Sequence, residues 1–404
     1  MISPKIKSLL VQTVKYYTSA LCWFRQACYH RINVILLTVI LACVGFTALL
    51  WGAKLLNVAR RYRYGHIRHE KADLPSVTVC IPARNEIHAL AECLERVLAS
   101  DYPKLEVIVL DDNSSDDTPL IIRSFAHAGV RFIEGTPPPD DWVGKNFAMQ
   151  TLLDEASGKY VVNMCADTKL RPDSISQMIK TMLANDAAML SVIPIRYDTN
   201  HLGTFVGSLR YFWELLFATW SSPPASSSVW VIDRKRFIDK IGGFSSVKDS
   251  MRPEVHIAAQ IATDATYEAI IAAPIVGVGY EKRWSSQMAT SRRIMYELIG
   301  GTWIKAIGAF IWLALLNLPT LILISVVMLP WQLLHTVALA SFVALVAMYA
   351  IYLRLTWASR WWAGMLLWPY VIFQELMLFM QSVVGYVTHT ITWKGRVIER
   401  VGSK

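Results

Sequence analysis

Charge is scarce in this sequence. Only 18% of its 404 residues are Asp, Glu, Lys or Arg, where a soluble globular protein carries about 25%. That shortfall excludes a soluble domain running the whole length of the chain. Cysteine is sparse and unpatterned, six residues with no C-x-x-C and no zinc-ligand spacing. Neither a disulfide framework nor a structural zinc site is therefore expected. Internal repeats and low-complexity tracts are also missing. The net charge of +9 does not call for nucleic acid, because the basic residues gather beside apolar runs. Residues 1–32 hold five Lys/Arg and no acid, and "RRYRYGHIRHEK" (60–71) follows the first long apolar stretch. Basic clusters in such places meet anionic headgroups.

Hydrophobic residues make up 54% of the chain, and the mean hydropathy is +0.35. Residues 33–56, "NVILLTVILACVGFTALLWGAKLL", are uncharged up to Lys54. Three more apolar runs occupy roughly 306–329, 332–353 and 364–388. Each can cross a hydrocarbon core of roughly 30 Å at about 1.5 Å per residue. The expected layout is one transmembrane helix at 33–56 and three within 306–390. The first run is too long for a signal-peptide core and has more than thirty residues before it. Residues 1–32 read as an amphipathic helix on the membrane, and 391–404 as a basic tail.

Between the apolar ends, residues 72–300 alternate strand and helix. "SVTVCIPA" (76–83), "LEVIVLDD" (105–112), "VRFIEG" (130–135) and "KYVVNMCAD" (159–167) are β-rich. Helical patterns fall at 87–99, 117–128 and 145–157. Apolar strands alternating with helices imply an α/β fold with a mostly parallel sheet covered on both faces. Ligands bind such sheets outside the carboxyl ends of the strands. Polar clusters sit at those ends: "ARNE" (83–86), "DDNSSDD" (111–117) and "ADT" (166–168).

Taken alone, "DDNSSDDT" reads equally well as a turn with helix caps. Together, "IPARNE", "VLDDNSSDDT", "WVGKNFA" (142–148) and the strand ending "CAD" resemble the family 2 glycosyltransferases. The "W-x-G-K-x-x-A" stretch is similar to their membrane-bound branch acting on lipids, which includes ceramide, hopene-associated and carotenoid glycosyltransferases. The C-terminal "TWKGRVI" (392–398) resembles a "W-x-G-R" ending of polytopic members. The resemblance implies a GT-A-type, Rossmann-like nucleotide-sugar-binding domain. It puts Pro82, Asn85, Glu86 and Asp112 in the donor pocket, Lys145 near the diphosphate, and Asp167 on a divalent cation, Mg²⁺ or Mn²⁺.

The chain departs from the family pattern in three places. Cys165 stands where a first metal-site aspartate is usual. A thiol is a poor ligand for Mg²⁺, but Mg²⁺ takes only one or two carboxylates, so Asp167 can suffice. By strand periodicity Cys165 should border the same cleft. After "GGF" (242–244), the expected acidic pair is Pro253-Glu254. That is also sound grammar for a helix start. Glu254 is the expected general base, with Asp249 next and His256 third. Finally, "YEKRWSSQMATSRR" (280–293) carries Arg283-Trp284 without the Q/R-x-x-R-W of polymer synthases. Trp284, Arg283 and Arg292 are then acceptor-side candidates.

The implied function is an inverting, non-processive transfer from a UDP- or GDP-sugar to a membrane lipid hydroxyl. A silent nucleotide-sugar binder and a processive polysaccharide synthase are the alternatives. The resemblance implies an integral protein of a bacterial inner membrane with a cytosolic catalytic domain. Two interfacial helices are expected near 201–220 and 285–303. One span before that domain and three after it would leave both residues 1–32 and the basic tail outside, against the positive-inside rule. Either residues 1–32 add a pass or one C-terminal run is re-entrant. Gln374, Glu375 and Gln381 in the last run should face protein or an acceptor passage.

Overall fold

The structure is a computed structural model that describes residues 33–60, 74–197, 202–219, 223–272, 276–280, 283–394 and 396–397. The expected amphipathic helix at 1–32 and most of the basic tail lie outside the described residues.

A seven-stranded sheet organises the middle of the chain, in the order β3-β2-β1-β4-β8-β6-β9. Its strands are β1 (Val77–Ala83), β2 (Leu105–Asp111), β3 (Val130–Glu134), β4 (Tyr160–Met164), β6 (Ala187–Ile193), β8 (Val229–Asp233) and β9 (Thr266–Ile271). β1 pairs parallel with β2 and β4, in register Val77↔Leu105 and Val77↔Tyr160. β8 runs antiparallel to both β4 and β6. A smaller sheet joins β5 (Thr168–Lys169), β7 (Ile195–Arg196) and β10 (Gly279–Tyr280) in the order β5-β10-β7.

Strand periodicity builds two cores. Val77, Val79 and Ile81 of β1, with Val107 and Val109 of β2, pack under α2 (Leu90–Leu98) and α5 (Ser174–Ala184). Cys80, Ile108 and Leu110 point the other way, under α4 (Gly144–Glu155) and α9 (Pro253–Asp264). Shorter helices α3 (Thr118–Ser124) and α8 (Arg234–Arg236) link strands.

Among the described residues, four helices are long and apolar enough to cross a membrane: α1 (Asn33–Arg60), α11 (Trp303–Ile324), α12 (Leu333–Thr356) and α14 (Trp368–Val387). They share one core with α7 (Arg210–Phe217) and α10 (Trp284–Leu298). A Cβ on Gly45 of α1 would lie 2.9 Å from Ser341 Oγ of α12, so glycine permits that close crossing.

The expected single helix at 201–220 is two helices, α6 (Leu202–Phe205) and α7. The break falls at Gly207, where a Cβ would sit 2.4 Å from an Arg196 guanidinium nitrogen. α7 is also buried on most sides, Tyr211 through Leu216. Glu375 of α14 holds its amino end, accepting from Leu209 N (2.8 Å) and Trp213 Nε1 (2.8 Å). Gln374 donates to Val206 O at 3.0 Å. Both face protein as expected; Gln381 is exposed.

α14 differs from the other three long helices. The chain just before it, beyond a short helix α13 (Trp361–Met365), is tied to the α/β domain by Ala358 N donating to Arg196 O (2.9 Å). Farther along, Ser382 Oγ accepts from Tyr296 N of α10 (3.1 Å) and Tyr386 donates to Arg293 O (2.7 Å). A two-stranded hairpin, β11 (Thr392–Trp393) and β12 (Arg396–Val397), then returns to the turn after β1.

Candidate active site

The carboxyl edge of the sheet gathers the polar clusters. After β1 the backbone at Asn85 adopts φ +51°, a left-handed conformation that asparagine tolerates better than most residues. Its Oδ1 accepts from Ser115 N (2.8 Å), its own N–H donates to Ser114 Oγ (2.9 Å), and Glu86 N donates to Thr118 Oγ1 (2.9 Å). Arg84 donates to the carbonyls of Asp112 and Asn113. "ARNE" and "DDNSSDDT" are therefore one bonded unit. Asp112 is buried at 3% exposure, with its N–H on Ala83 O (2.7 Å). Asp111 serves the turn, one carboxylate oxygen accepting from Ser114 N (3.2 Å) and the other buried with no partner.

Beside this unit opens a cavity of about 560 Å³. Five expected site residues are in its wall, Asn85, Glu86, Asp167, Arg283 and Trp284, joined by Lys394. Lys394 was not singled out from sequence, although it stands in the "TWKGRVI" ending. Its ammonium donates to the Glu86 carboxylate and the Arg84 carbonyl, and its own carbonyl accepts from Arg84 Nε (3.3 Å). Glu92, also in the wall, pairs with Lys169 at 2.9 Å.

Pro82, Asp112, Lys145, Asp249, Glu254 and Arg292 do not line this cavity. Lys145, at the start of α4, lies 3.8 Å from Cys165 Sγ, and the thiol donates to Ser227 O at 3.0 Å. Cys165 is absent from the cavity wall as well, contrary to the periodicity expectation. β4 ends at Met164 and the chain turns at Ala166–Asp167, so the two-residue alternation stops before Asp167.

Glu254 stands in the first turn of α9, 2% exposed. It belongs to a chain of charges: Arg210 reaches Glu254 (3.4 Å) and Glu214 (3.1 Å), and Arg252 reaches Glu214 (3.3 Å). Burial works against the charge on Arg210, but Glu214, Tyr211 and Glu254 outweigh it and hold the guanidinium above its ordinary value. Asp249 and His256 are exposed. Arg292 is exposed on α10, while Arg293 beside it is half-buried.

Residues 78–244 match the family model described as glycosyl transferase family 2. The chain carries a family 2 glycosyltransferase domain. It is similar to the 4,4'-diaponeurosporenoate glycosyltransferase of Staphylococcus aureus, 28% identical over 166 residues, 41% of this chain and 40% of that protein. A probable glycosyltransferase of Bacillus subtilis, YdaM, is 31% identical over 125 residues, 30% of each chain. The matches thus span well under half of these relatives. In fold the chain is similar to a Pyrobaculum calidifontis mannosyltransferase solved with GDP-Man and Mn²⁺. That likeness has a TM-score of 0.55 at 19% identity and covers 90% of this chain and 100% of that one. This is the GT-A fold expected from the motifs.

The family 2 domain can be tested for a cation. Among the described residues no group of three or more His, Cys, Asp or Glu could hold a metal. Of the three acids in the cavity wall, Glu86 and Glu92 are bonded to lysines. Asp167 is the third acid of the wall. A single carboxylate fits a hard cation that keeps waters and arrives with a diphosphate. It does not fit a metal held by protein alone.

Proposed function

We propose that this protein moves a sugar from a UDP- or GDP-sugar to the hydroxyl of a membrane lipid, one sugar at a time and with inversion. The observation that carries this reading is the cavity at the carboxyl edge of the sheet. It joins the Asn85–Glu86 turn and Asp167 to Arg283 and Trp284 at the start of α10, a helix packed against the apolar α14. The name of the Staphylococcus relative supports a lipid-like acceptor.

In this reading Asp112 and Asn85 hold the nucleoside, and Lys145 provides a point charge for the diphosphate. A divalent cation on Asp167, when bound, neutralises charge on the departing diphosphate. Glu254 takes the acceptor's hydroxyl proton as that oxygen bonds to the anomeric carbon. The bond from that carbon to the phosphate oxygen breaks in line on the opposite face. Arg210 orients the Glu254 carboxylate. Arg283 and Trp284 flank the acceptor's entry, with Arg292 outside them.

Both flanks of α14 contact the catalytic domain. In this reading only α1, α11 and α12 cross the membrane, and α14 lies along the domain boundary. A cytosolic catalytic domain then has the C-terminus on its own side, where positive charge belongs. A cysteine placed at the C-terminus should react with impermeant maleimide only from the cytosolic side; labelling from outside refutes the arrangement.

Purified protein in lipid, given radiolabelled nucleotide-sugars with Mg²⁺ or Mn²⁺, should yield glycolipid. Asp167→Asn and Glu254→Gln should each yield at least about 10²-fold less. The Glu254–Arg210 ion pair gives some weight to a second reading, a nucleotide-sugar binder without transfer. Donor binding with neither transfer nor hydrolysis would select it.

A further inference from the structure

Asn146, the third residue of α4, is 1% exposed. Its Nδ2 donates to Val247 O (2.9 Å), Lys248 O (3.2 Å) and Ser250 O (2.8 Å). All three partners are carbonyl oxygens, so only the amide's NH₂ can face them and its orientation is fixed chemically. The side-chain Oδ1 is left buried with no partner, a state that costs about 1–3 kcal/mol. Retained orphans of this kind call for an explanation.

The explanation lies in what the three carbonyls belong to. Residues 247–250 make no strand pairing and lead directly into Arg252, Pro253 and Glu254. Val143 N also donates to Lys248 O (2.8 Å). One turn further along α4, Gln150 Oε1 accepts from Phe244 N (2.8 Å). Residues 146 and 150 share a helix face at i,i+4, and together they hold 244–250 against α4. The residue before Asn146 is Lys145, which faces Cys165 beside the Asp167 turn. Consecutive residues of one helical turn thus touch the loop of the base candidates and the strand end of the metal candidate.

We infer that Asn146 is the positioning residue that sets the Asp249–Glu254 loop relative to Asp167. The inference rests on the glycosyltransfer reading for its catalytic consequence but not for the contact itself. Without the clamp the loop shifts, and a misplacement of about 1 Å costs about 10²-fold in rate. Nucleotide binding through the Asn85 and Asp112 turns, which Asn146 does not touch, is spared.

The test uses the full chain in lipid nanodiscs, with Asn146→Ser, Asn146→Asp and wild type compared. Hydrogen exchange over 244–252 should rise about tenfold or more in Asn146→Ser. Its kcat should fall about 10²-fold, with donor KM and the Kd for UDP or GDP within about twofold. In Asn146→Asp a carboxylate meets three carbonyls at about pH 8. Activity should partly return at about pH 6, as protonation restores one donor. Unchanged exchange over 244–252 overturns the clamp. So does a fall in kcat, nucleotide affinity and Tm together with no recovery at low pH, the signature of general destabilisation. If no nucleotide-sugar turns over with wild type, the glycosyltransfer reading falls, and exchange alone decides the clamp.

Discussion

At the amino end of the central strands, Glu106 accepts from Thr78 Oγ1 (2.6 Å), Ser157 N (3.0 Å) and Ser157 Oγ (2.8 Å). Arg131 bridges Glu106 (2.8 Å) to Glu155 (2.6 Å). At the carboxyl end of the same strands, Asp111 keeps a buried oxygen without a partner, and Asp167 borders a cavity of about 560 Å³. One end spends its polar groups on each other and closes. The other bonds its turns together but keeps a cavity open beside them, where a ligand can bind. A parallel sheet makes this asymmetry natural, because every loop at one end leads from a strand into a helix and its exposed N–H groups.

The sharpest way to break the contrast is at Asp167. Asp167→Asn keeps the shape and removes the charge a cation needs, so transfer should fall by about 10³-fold or more. UDP or GDP binding without metal should survive. A smaller loss follows at Glu254: removing a general base costs about 10²–10⁴-fold, so Glu254→Gln sits at the low end if Asp249 substitutes. Full activity in that variant would move the base to Asp249. Both are read as radiolabelled sugar entering lipid.

The closed end should respond in stability and not in catalysis. Thr78→Val removes a donor to Glu106 and orphans Gly158 N, which bonds Thr78 Oγ1 at 2.8 Å. The expected loss is about 2 kcal/mol at neutral pH, with kcat unchanged, read by denaturation of the full chain in detergent. Burial alone would raise the Glu106 carboxyl, but the bonds from Thr78, Ser157 and Arg131 overcome it and hold the group down at about 2. A depressed folded pKa stabilises above the unfolded value and is lost below it. The Glu106 contribution should therefore be full above about pH 4.5 and fade as pH falls toward 2. A wild-type stability that did not fall across that window would contradict the assignment.

The contrast also shows what sequence could carry. "VTVCIPA" and "LEVIVLD" are β-branched and apolar on both faces, so their strands and parallel pairing were legible. β8 was not: it inserts antiparallel between β4 and β6, a pairing between distant segments that no local pattern encodes. The two-residue strands of the small sheet carry no periodicity at all. The break at Gly207 depends on the close approach of Arg196 and Gln287, a tertiary cause. At the site, Asn85, Glu86 and Asp167 were legible because strand-end motifs fix their place. Lys394 was hidden because it reaches Glu86 from 308 positions away.

Lys394 offers a milder perturbation of the open end. Lys394→Met removes the cation from the Glu86 carboxylate and frees the Asn85 turn it braces. A lost charge-assisted hydrogen bond of this kind is worth about 1.5 kcal/mol, or about tenfold in donor KM. Lys394→Arg should recover most of it, and kcat should move little in either.

Cys165 should give the smallest effect. Its thiol donates to Ser227 O and lies near Lys145, and it is not part of the cavity wall. A serine hydroxyl can make the same bond to Ser227 O, so Cys165→Ser should hold kcat/KM within about twofold. Cys165→Asp is the more telling change. With the chain already turning at Ala166–Asp167, a carboxylate at 165 meets the Lys145 ammonium before it meets a cation beside Asp167. The Mn²⁺ concentration for half-maximal transfer should then stay at the wild-type value. If it drops instead, residue 165 reaches the cation, and the open end holds two acids' worth of room where one is now assigned.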